Sequence, residues 1–469
     1  MAPETSAADG LAAQHETPMT KTLPLKNVLR FIGKHQNAFC RSSRCSCARK
    51  TRRIAGSDEA AVMKIIVKPV AILWLIAFSA AVFAAVVEHE LSARADATVA
   101  PAGARSGPFS KAPALGIHLG LLEHGKYDAI TDVPGVLVGQ VTQIEGSGKL
   151  IPGKGPVRTG VTAIIPRHDV WHRKVEAAAW PFNGNGEMTG TAWVNESGFL
   201  EVPIVLTNSL NVGRVDDGVV SWMIRQYPAI GITDDVPLPV VAECDDDFLN
   251  DIQGRHSSPQ DVINALDSAA SGPVAQGGVG AGTGMISYLF KGGIGTASRV
   301  VSAKDGGYTV GVLVNNNAEA RQNLTIGGVP VGQNIKGFLP ASGTPGEGSI
   351  IFVIATNAPL LHDSLLRLAH HAALGWARTG AISRTGSGDL VIAFSTANTV
   401  PHYPQAATYP VTAMDLYHMN PLFQATVEAT EEAVVNSLLA GQTMVGRDNN
   451  KVYGLPHDRL LQIMHRYGR

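Results

Sequence analysis

Charge is scarce in this sequence and sulfur scarcer. Asp, Glu, Lys and Arg make up 16% of 469 residues, aromatic residues 6%, and there are four cysteines. Cys40, Cys45 and Cys47 share one N-terminal stretch, which leaves Cys244 alone in the body, so no internal disulfide framework can hold the body together. Sparse charge beside 45% hydrophobic residues excludes intrinsic disorder and supplies ample apolar surface for a large core. Fifty glycines and 27 prolines follow no repeat period, which excludes collagen, solenoid and coiled coil and points to many tight turns in a mixed α/β protein.

The net charge of −1 is unevenly spread. Residues 1–62 hold ten Lys/Arg against five Asp/Glu and residues 63–95 hold three against two, leaving −7 on residues 96–469. No basic domain remains, so the electrostatic footprint of nucleic-acid binding is missing. Lys64 and Lys68 follow Met63 and precede an 18-residue uncharged run, Val70 to Val87, with Ala93-Arg94-Ala95 offering small residues at cleavage spacing. This reads as a secretory signal with the working start at Met63, residues 1–62 being a non-native or disordered extension and the mature protein periplasmic or secreted. Two other readings stay open: the run is just long enough to anchor the chain in a membrane uncleaved, and the Cys40/Cys45/Cys47 cluster could bind a metal. Residues 96–115, rich in Ala, Pro, Gly and Ser, read as a linker.

Short apolar runs then predict strands over 135–144, 160–166, 203–207, 238–242, 307–315, 349–355 and 389–395. Capped helices are predicted between them: 259–270 behind Ser258-Pro259, one from Asn357 and Pro359 to Gly375, and 421–440 behind Asn420-Pro421. In the last, Phe423, Val427, Val434 and Leu438, interrupted by Thr430, make one face apolar. Sheets covered by helices follow. The segment 337–348 (GFLPASGTPGEG) lacks any period, and its Pro and Gly content makes it a natural place for a chain break just before the strongest strand.

Ser349 opens that strand. A serine there serves as a turn residue, or as an N-terminal nucleophile whose hydroxyl attacks the Gly348 carbonyl and so begins a new chain with a free α-amine. Glycine at 348 tolerates the distorted backbone such an attack needs. Ser387-Gly388-Asp389 offers a hydroxyl and a carboxylate for a proton relay, though the same residues are ordinary turn composition. Asn315-Asn316-Asn317 ends a strand, and an amide there suits an oxyanion donor. The glycine run 278–284 fails the dinucleotide and Walker patterns and reads as close backbone packing. His362, His370 and His371 lack metal-ligand spacing and read as solvated or structural, and Cys244 as buried.

Five motifs in order, Ala129-Ile130-Thr131-Asp132-Val133-Pro134-Gly135, Gly184-Asn185-Gly186-Glu187-Met188-Thr189-Gly190, Gly282-Thr283-Gly284-Met285, Lys291-Gly292-Gly293-Ile294-Gly295-Thr296 and Gly348-Ser349-Ile350-Ile351, resemble the family of DmpA-type L-aminopeptidase/D-esterases and β-aminopeptidases over roughly 116–440. The resemblance implies a four-layer α/β/β/α sandwich of self-cleaved chains, α (116–348) and β (349–469), assembled as a homo-oligomer of αβ units. It further implies Ser349 as nucleophile, Asn317 in the oxyanion hole, Ser387 as second catalytic serine and Asp389 where the family carries glutamate, one methylene longer. Glu243 is similar to a carboxylate that receives the substrate's free amine, with Phe248 in the same pocket; the other reading of Glu243 pairs it with an arginine or faces it to water beside Asp245, Asp246 and Asp247. The expected function is an aminopeptidase acting on small peptides, amides or esters without metal or organic cofactor, the alternatives being an acyltransferase or oligoamide hydrolase, or a silent binding protein of the same fold. Membrane association is expected only if the segment 70–87 stays uncleaved.

Deleting residues 1–62 is expected to leave export and turnover unchanged, as measured by cell fractionation and peptide hydrolysis. Loss of either would make the upstream segment part of the working protein.

Overall fold

Strands whose side chains are apolar on both faces need cover on both faces, and this requirement shapes the molecule. The computed structural model describes residues 111–340 and 348–469; the basic N-terminal stretch, the apolar run 70–87 and residues 341–347 of the expected break lie outside them. One sheet has four strands in the order β1 (Leu137–Glu145), β2 (Val157–Ile165), β5 (Ile204–Asn208) and β6 (Val240–Cys244). The other has six, ordered β4 (Phe199–Leu200), β3 (Arg173–Gly184), β12 (Gly388–Pro401), β11 (Gly348–Thr356), β10 (Thr309–Ala318) and β9 (Gly293–Val300). Two small hairpins, β7 (Ile286–Ser287) with β8 (Phe290–Lys291) and β13 (Met444–Val445) with β14 (Lys451–Val452), complete the β structure of the described residues.

Alternation along β11 displays the layers. Ile350, Phe352 and Ile354 enter one core with Leu365, Leu368 and Ala429, whereas Ile351, Val353 and Ala355 enter a second core shared with Ala163, Val205 and Val241 of the smaller sheet. Helices α2 (Val212–Gln226) and α3 (Pro259–Asp267) cover the smaller sheet; α4 (His362–Ala377) and α5 (Asn420–Leu439) cover the larger, and α1 (Thr191–Ser197) and α6 (His457–Arg466) are shorter additions. The order is α/β/β/α.

Several local expectations change. Ala112 is fully buried and its N–H donates to Asn436 Oδ1 at 3.0 Å, so the folded body reaches back into the stretch read as linker. Helix α4 starts at His362, not at Asn357, because Pro359 holds the preceding residue out of the helical region and Asn357 Oδ1 instead accepts the Thr309 N–H at 2.8 Å. Ser258 does cap α3 with Asp261 in a reciprocal box, but the helix stops at Asp267. Helix α5 is buried on two sides, not along one stripe. A Cβ on Gly375 would meet the Val427 carbonyl oxygen at 2.5 Å, which sets α4 against the expected stripe. The opposite side carries Ala425, Ala429, Ala433 and Ser437 at four-residue spacing, and a Cβ on Gly295 of β9 would meet the Ala433 carbonyl oxygen at 1.9 Å. Small residues on both elements permit that approach.

Burying α5 on two sides also buries its acids. Arg299 of β9, fully buried, places Nη2 2.5 Å from Glu432 and Nε 3.4 Å from Glu428, and His124 Nε2 lies 2.9 Å from Glu432. Burial and the neighbouring Glu432 push Asp128, 3.9 Å from Arg299, up to about 6. Arg299→Met should therefore destabilise the protein by about 3–5 kcal/mol in urea denaturation, since two buried carboxylates lose their counter-charge. A loss below about 1 kcal/mol would show that these ion pairs do not hold the layers.

Candidate active site

Three strands of the larger sheet end side by side. Antiparallel pairing sets Asn317 of β10 opposite Ser349 of β11, and parallel pairing sets Gly388 of β12 on the other side of Ser349. Ser349 is 6% exposed, and its Oγ accepts the Gly388 N–H at 3.2 Å. Gly348 has φ +82°, and a Cβ there would sit 1.7 Å from the Asn317 carbonyl oxygen. Only glycine fits this position, on both conformational and steric grounds. The Asn317 amide is fixed at both ends: its oxygen accepts the Ile286 N–H at 2.6 Å and its nitrogen donates to the Asp245 carbonyl at 2.7 Å.

Ser387 and Asp389 lie just beside this row, both buried. The Ser387 hydroxyl donates to Asp389 Oδ1 in a very short bond, and a second hydroxyl, that of Ser383, donates to Oδ2. Burial pushes the Asp389 carboxyl above its ordinary range; the two serines and Asn183 pull it down, and the charge of Glu319 adds to the upward push.

The smaller sheet contributes Glu243, which is 6% exposed near the end of β6. Its Oε1 accepts the Glu187 N–H at 3.0 Å and its Oε2 accepts the Ser209 hydroxyl. Burial raises its pKa, with repulsion from Asp245 and Glu187 acting in the same direction. Among the described residues no Lys, Arg or His forms an ion pair with Glu243. Glu243, Phe248, Asn317, Gly348 and Ser349 all line one cavity of 570 Å³, whose wall also carries Glu187, Asp245, Asp246 and Asp247. Across these wall carboxylates, the one ion pair among the described residues is Asp247 with Arg447 at 3.6 Å.

The glycine run closes the floor. Lys291, fully buried, donates to the carbonyls of Gly282, Met285 and Gly292 at 2.8–2.9 Å, and burial lowers its pKa to about 7. Of these carbonyls only that of Gly282 belongs to the glycine run, which packs closely against its neighbours: a Cβ on Gly284 would meet Asp246 at 2.7 Å. Buried Asp246, held by Asn208 and Asn250, is pushed up to about 7. Cys244 is buried. His362 bonds the Ala177 carbonyl, His370 packs edge-on against Trp180, and His371 stacks on Phe423, all structural contacts. Among the described residues, one trio has metal-ligand proximity, His124, Asp128 and Glu432, and it belongs to the Arg299 ion pairs, not to the cavity wall.

The structure therefore gathers the residues expected at the site, Ser349, Asn317, Ser387, Asp389, Gly348, Glu243 and Phe248, around one cavity and the buried layer behind it. Sequence reasoning missed Ser383, Ser209 and Glu319, which have no motif of their own. Glu187 was in view, inside the motif 184–190, without a role.

Known proteins share this arrangement. The model of peptidase family S58 matches residues 128–452. A beta-peptidyl aminopeptidase of Sphingosinicella microcystinivorans is 44% identical over 382 residues, covering 78% of this chain and 95% of that protein. Among solved structures, a beta-aminopeptidase of Burkholderia matches with TM-score 0.71 and 42% identity over 77% of this chain and 99% of its own. The L-aminopeptidase D-Ala-esterase/amidase of Ochrobactrum anthropi, described as a prototype for the serine aminopeptidases with a variant Ntn hydrolase fold, matches with TM-score 0.72 and 43% identity over 76% and 99%. On the family match and on identities above two-fifths across nearly whole relatives, the chain belongs to peptidase family S58 and is a serine hydrolase of the aminopeptidase kind.

Proposed function

We propose that the chain cuts itself between Gly348 and Ser349 and then releases the first residue, α or β, from peptides and amides whose amino terminus is free. The observation that carries this reading is the meeting of a nucleophile row on one sheet with a buried carboxylate on the other that no cation among the described residues pairs. A desolvated carboxylate is costly unless a cation meets it, and a substrate ammonium is that cation. Acceptance of β-residues is supported by likeness to proteins named for beta-peptidyl activity.

In the uncut chain the Ser349 hydroxyl adds to the Gly348 carbonyl carbon. The bond to the Ser349 nitrogen breaks as that nitrogen takes up the proton, and water cleaves the resulting ester. Residue 348 then ends in a carboxylate and Ser349 bears an α-amine. Such an amine has a reference pKa near about 8, so it can take the Ser349 hydroxyl proton at neutral pH without a histidine. Ser387, its own hydrogen pointed at Asp389, offers an oxygen lone pair to this proton path. One hydrogen of the Asn317 amide serves Asp245; the second is the donor for the oxyanion. The amine product leaves with the proton, and water releases the acyl group from Ser349. Residues 63–95 direct the chain out of the cytoplasm in this reading, and the working form is an oligomer of αβ units.

Ser349→Ala should run as one uncut chain on denaturing gels and show no turnover; two chains in that variant would refute autocatalysis. N-acetylated substrates should fail. Glu243→Gln should weaken free-amine substrates by about 1.5–3 kcal/mol in KM-derived binding. Because burial holds Glu243 above the ordinary carboxylate range, affinity in the parent should be lost as pH falls through that raised pKa, and the Gln variant should lack this limb. Equal rates on blocked and free substrates would remove the exopeptidase assignment while leaving the nucleophile in place.

A further inference from the structure

Two residues beside the relay are held in conformations that need a reason. Ser383 has φ +53° and Glu319 has φ +82°, in the left-handed region that disfavours every residue but glycine. Glu319 is 6% exposed, and its Oε1 accepts two N–H groups of another loop, those of Ile382 at 2.9 Å and Ser383 at 3.0 Å. Ile382 is largely exposed, so water could have satisfied that backbone. A buried charge is instead committed to fixing it. The loop so fixed delivers the Ser383 hydroxyl to Asp389 Oδ2, while Oδ1 holds Ser387. Glu319 also lies two residues beyond Asn317, so one carboxylate ties the end of the strand carrying the oxyanion amide to the loop that grips the relay.

We infer that Ser383 and Glu319 are positioning residues of the hydrolytic reaction: Glu319 sets the 382–383 backbone so that the Ser383 hydroxyl holds the second oxygen of Asp389, which keeps the first aimed at Ser387. This rests on the proposed roles of Ser349, Ser387 and Asp389. A carboxylate held by one oxygen alone can swing about its last torsion; held by both, it orients the Ser387 hydrogen and leaves the Ser387 lone pairs toward Ser349. Strain of this kind persists where the surroundings over-determine it, and here they do so at a reacting group.

Among the described residues, the groups facing Asp389 include Ser383, Ser387, Asn183, Glu319 and Cys244, together with the α-amine of Ser349 once the chain is cut. A hydroxyl donor favours the ionised carboxylate and a nearby carboxylate opposes it, so changing Ser383 and changing Glu319 move the titration of Asp389 in opposite directions.

Ser383→Gly separates positioning from folding, because it removes the hydroxyl and at the same time relieves the positive φ. It should melt at or above the parent's temperature. Yet it should lower both the rate at which the chain 349–469 appears and, per mole of cut chain, the kcat on alanyl p-nitroanilide, by about one to two orders of magnitude with KM within about twofold. The acid limb of kcat/KM should move to higher pH. Ser383→Ala should show the same kinetic loss. Glu319→Gln, whose amide oxygen can still accept both N–H groups, should move the limb to lower pH. Ser383→Gly turning over at the parent rate, or limbs that stay in place in both variants, would overturn the inference. Asp389→Asn measured alongside distinguishes the two failures: if it is as fast as the parent, the relay itself falls, whereas a slow Asp389→Asn beside an unimpaired Ser383→Gly removes Ser383 alone.

Discussion

The separation between the Gly348 α-carbon and the Asn317 carbonyl oxygen is the constraint on which the rest of this site depends. Those two strand ends are so close that a single added methyl group would strike the oxygen at 1.7 Å. That approach places Asn317 and Ser349, the proposed oxyanion donor and nucleophile, on paired residues of a register shared by β10, β11 and β12, instead of on loops free to drift. Rigid strand ends hold reacting groups more closely than loops do, and proximity of this kind accounts for a large share of catalytic power. The glycine that permits the approach is also the one whose carbonyl the proposed self-cleavage attacks, so in that reading the same lack of a side chain serves geometry and reactivity.

Buried charge is handled in two opposite ways in one molecule. Around Arg299 every acid meets a cation: Glu432 and Glu428 share the guanidinium, and His124 adds its ring. There the carboxylates serve to join β9, α5 and the segment before β1. At the cavity, Glu243 has hydrogen-bond donors but no cation among the described residues, and neighbours on the wall are themselves acidic. The first arrangement is finished within the chain. The second leaves a deficit of positive charge that a ligand can fill, which is how a structural carboxylate is told from a binding one when both are equally buried.

How much of this was legible in the sequence follows from which interactions leave a pattern. Strands dense in β-branched residues, such as 349–355 and 203–207, were readable because both faces are buried and both faces are therefore apolar. Strands β3 and β9 were not, since their closest packing uses Ala, Gly and Ser, residues that favour no strand but let a helix approach; at Gly295 the backbone of α5 takes the place of a side chain. The site residues on strand ends were reachable through motifs. Ser383 and Glu319 were not reachable, because their meaning lies in a loop folding back on a strand end 64 residues away in sequence for Ser383, a relation that no local period encodes.

The division of labour between the two sheets has a consequence for how such a site can change. The chemistry, Ser349 with Asn317 and the Ser387 and Asp389 pair, hangs on the six-stranded sheet, while Glu243, Ser209 and Asp245 come from the end of the four-stranded one. The two are joined through the core between the sheets and by polar contacts that include the Asn317 amide on the Asp245 carbonyl and the Cys244 thiol on the Asn315 carbonyl. A shift of the smaller sheet by a few tenths of an ångström would move Glu243 relative to Ser349 without disturbing the register of β10, β11 and β12. An α-amine and a β-amine differ by one methylene in their distance from the scissile carbonyl. Under the proposed function, the spacing that discriminates them is set by packing between the sheets, in residues such as Ile351, Val353 and Val241 of the core the sheets share.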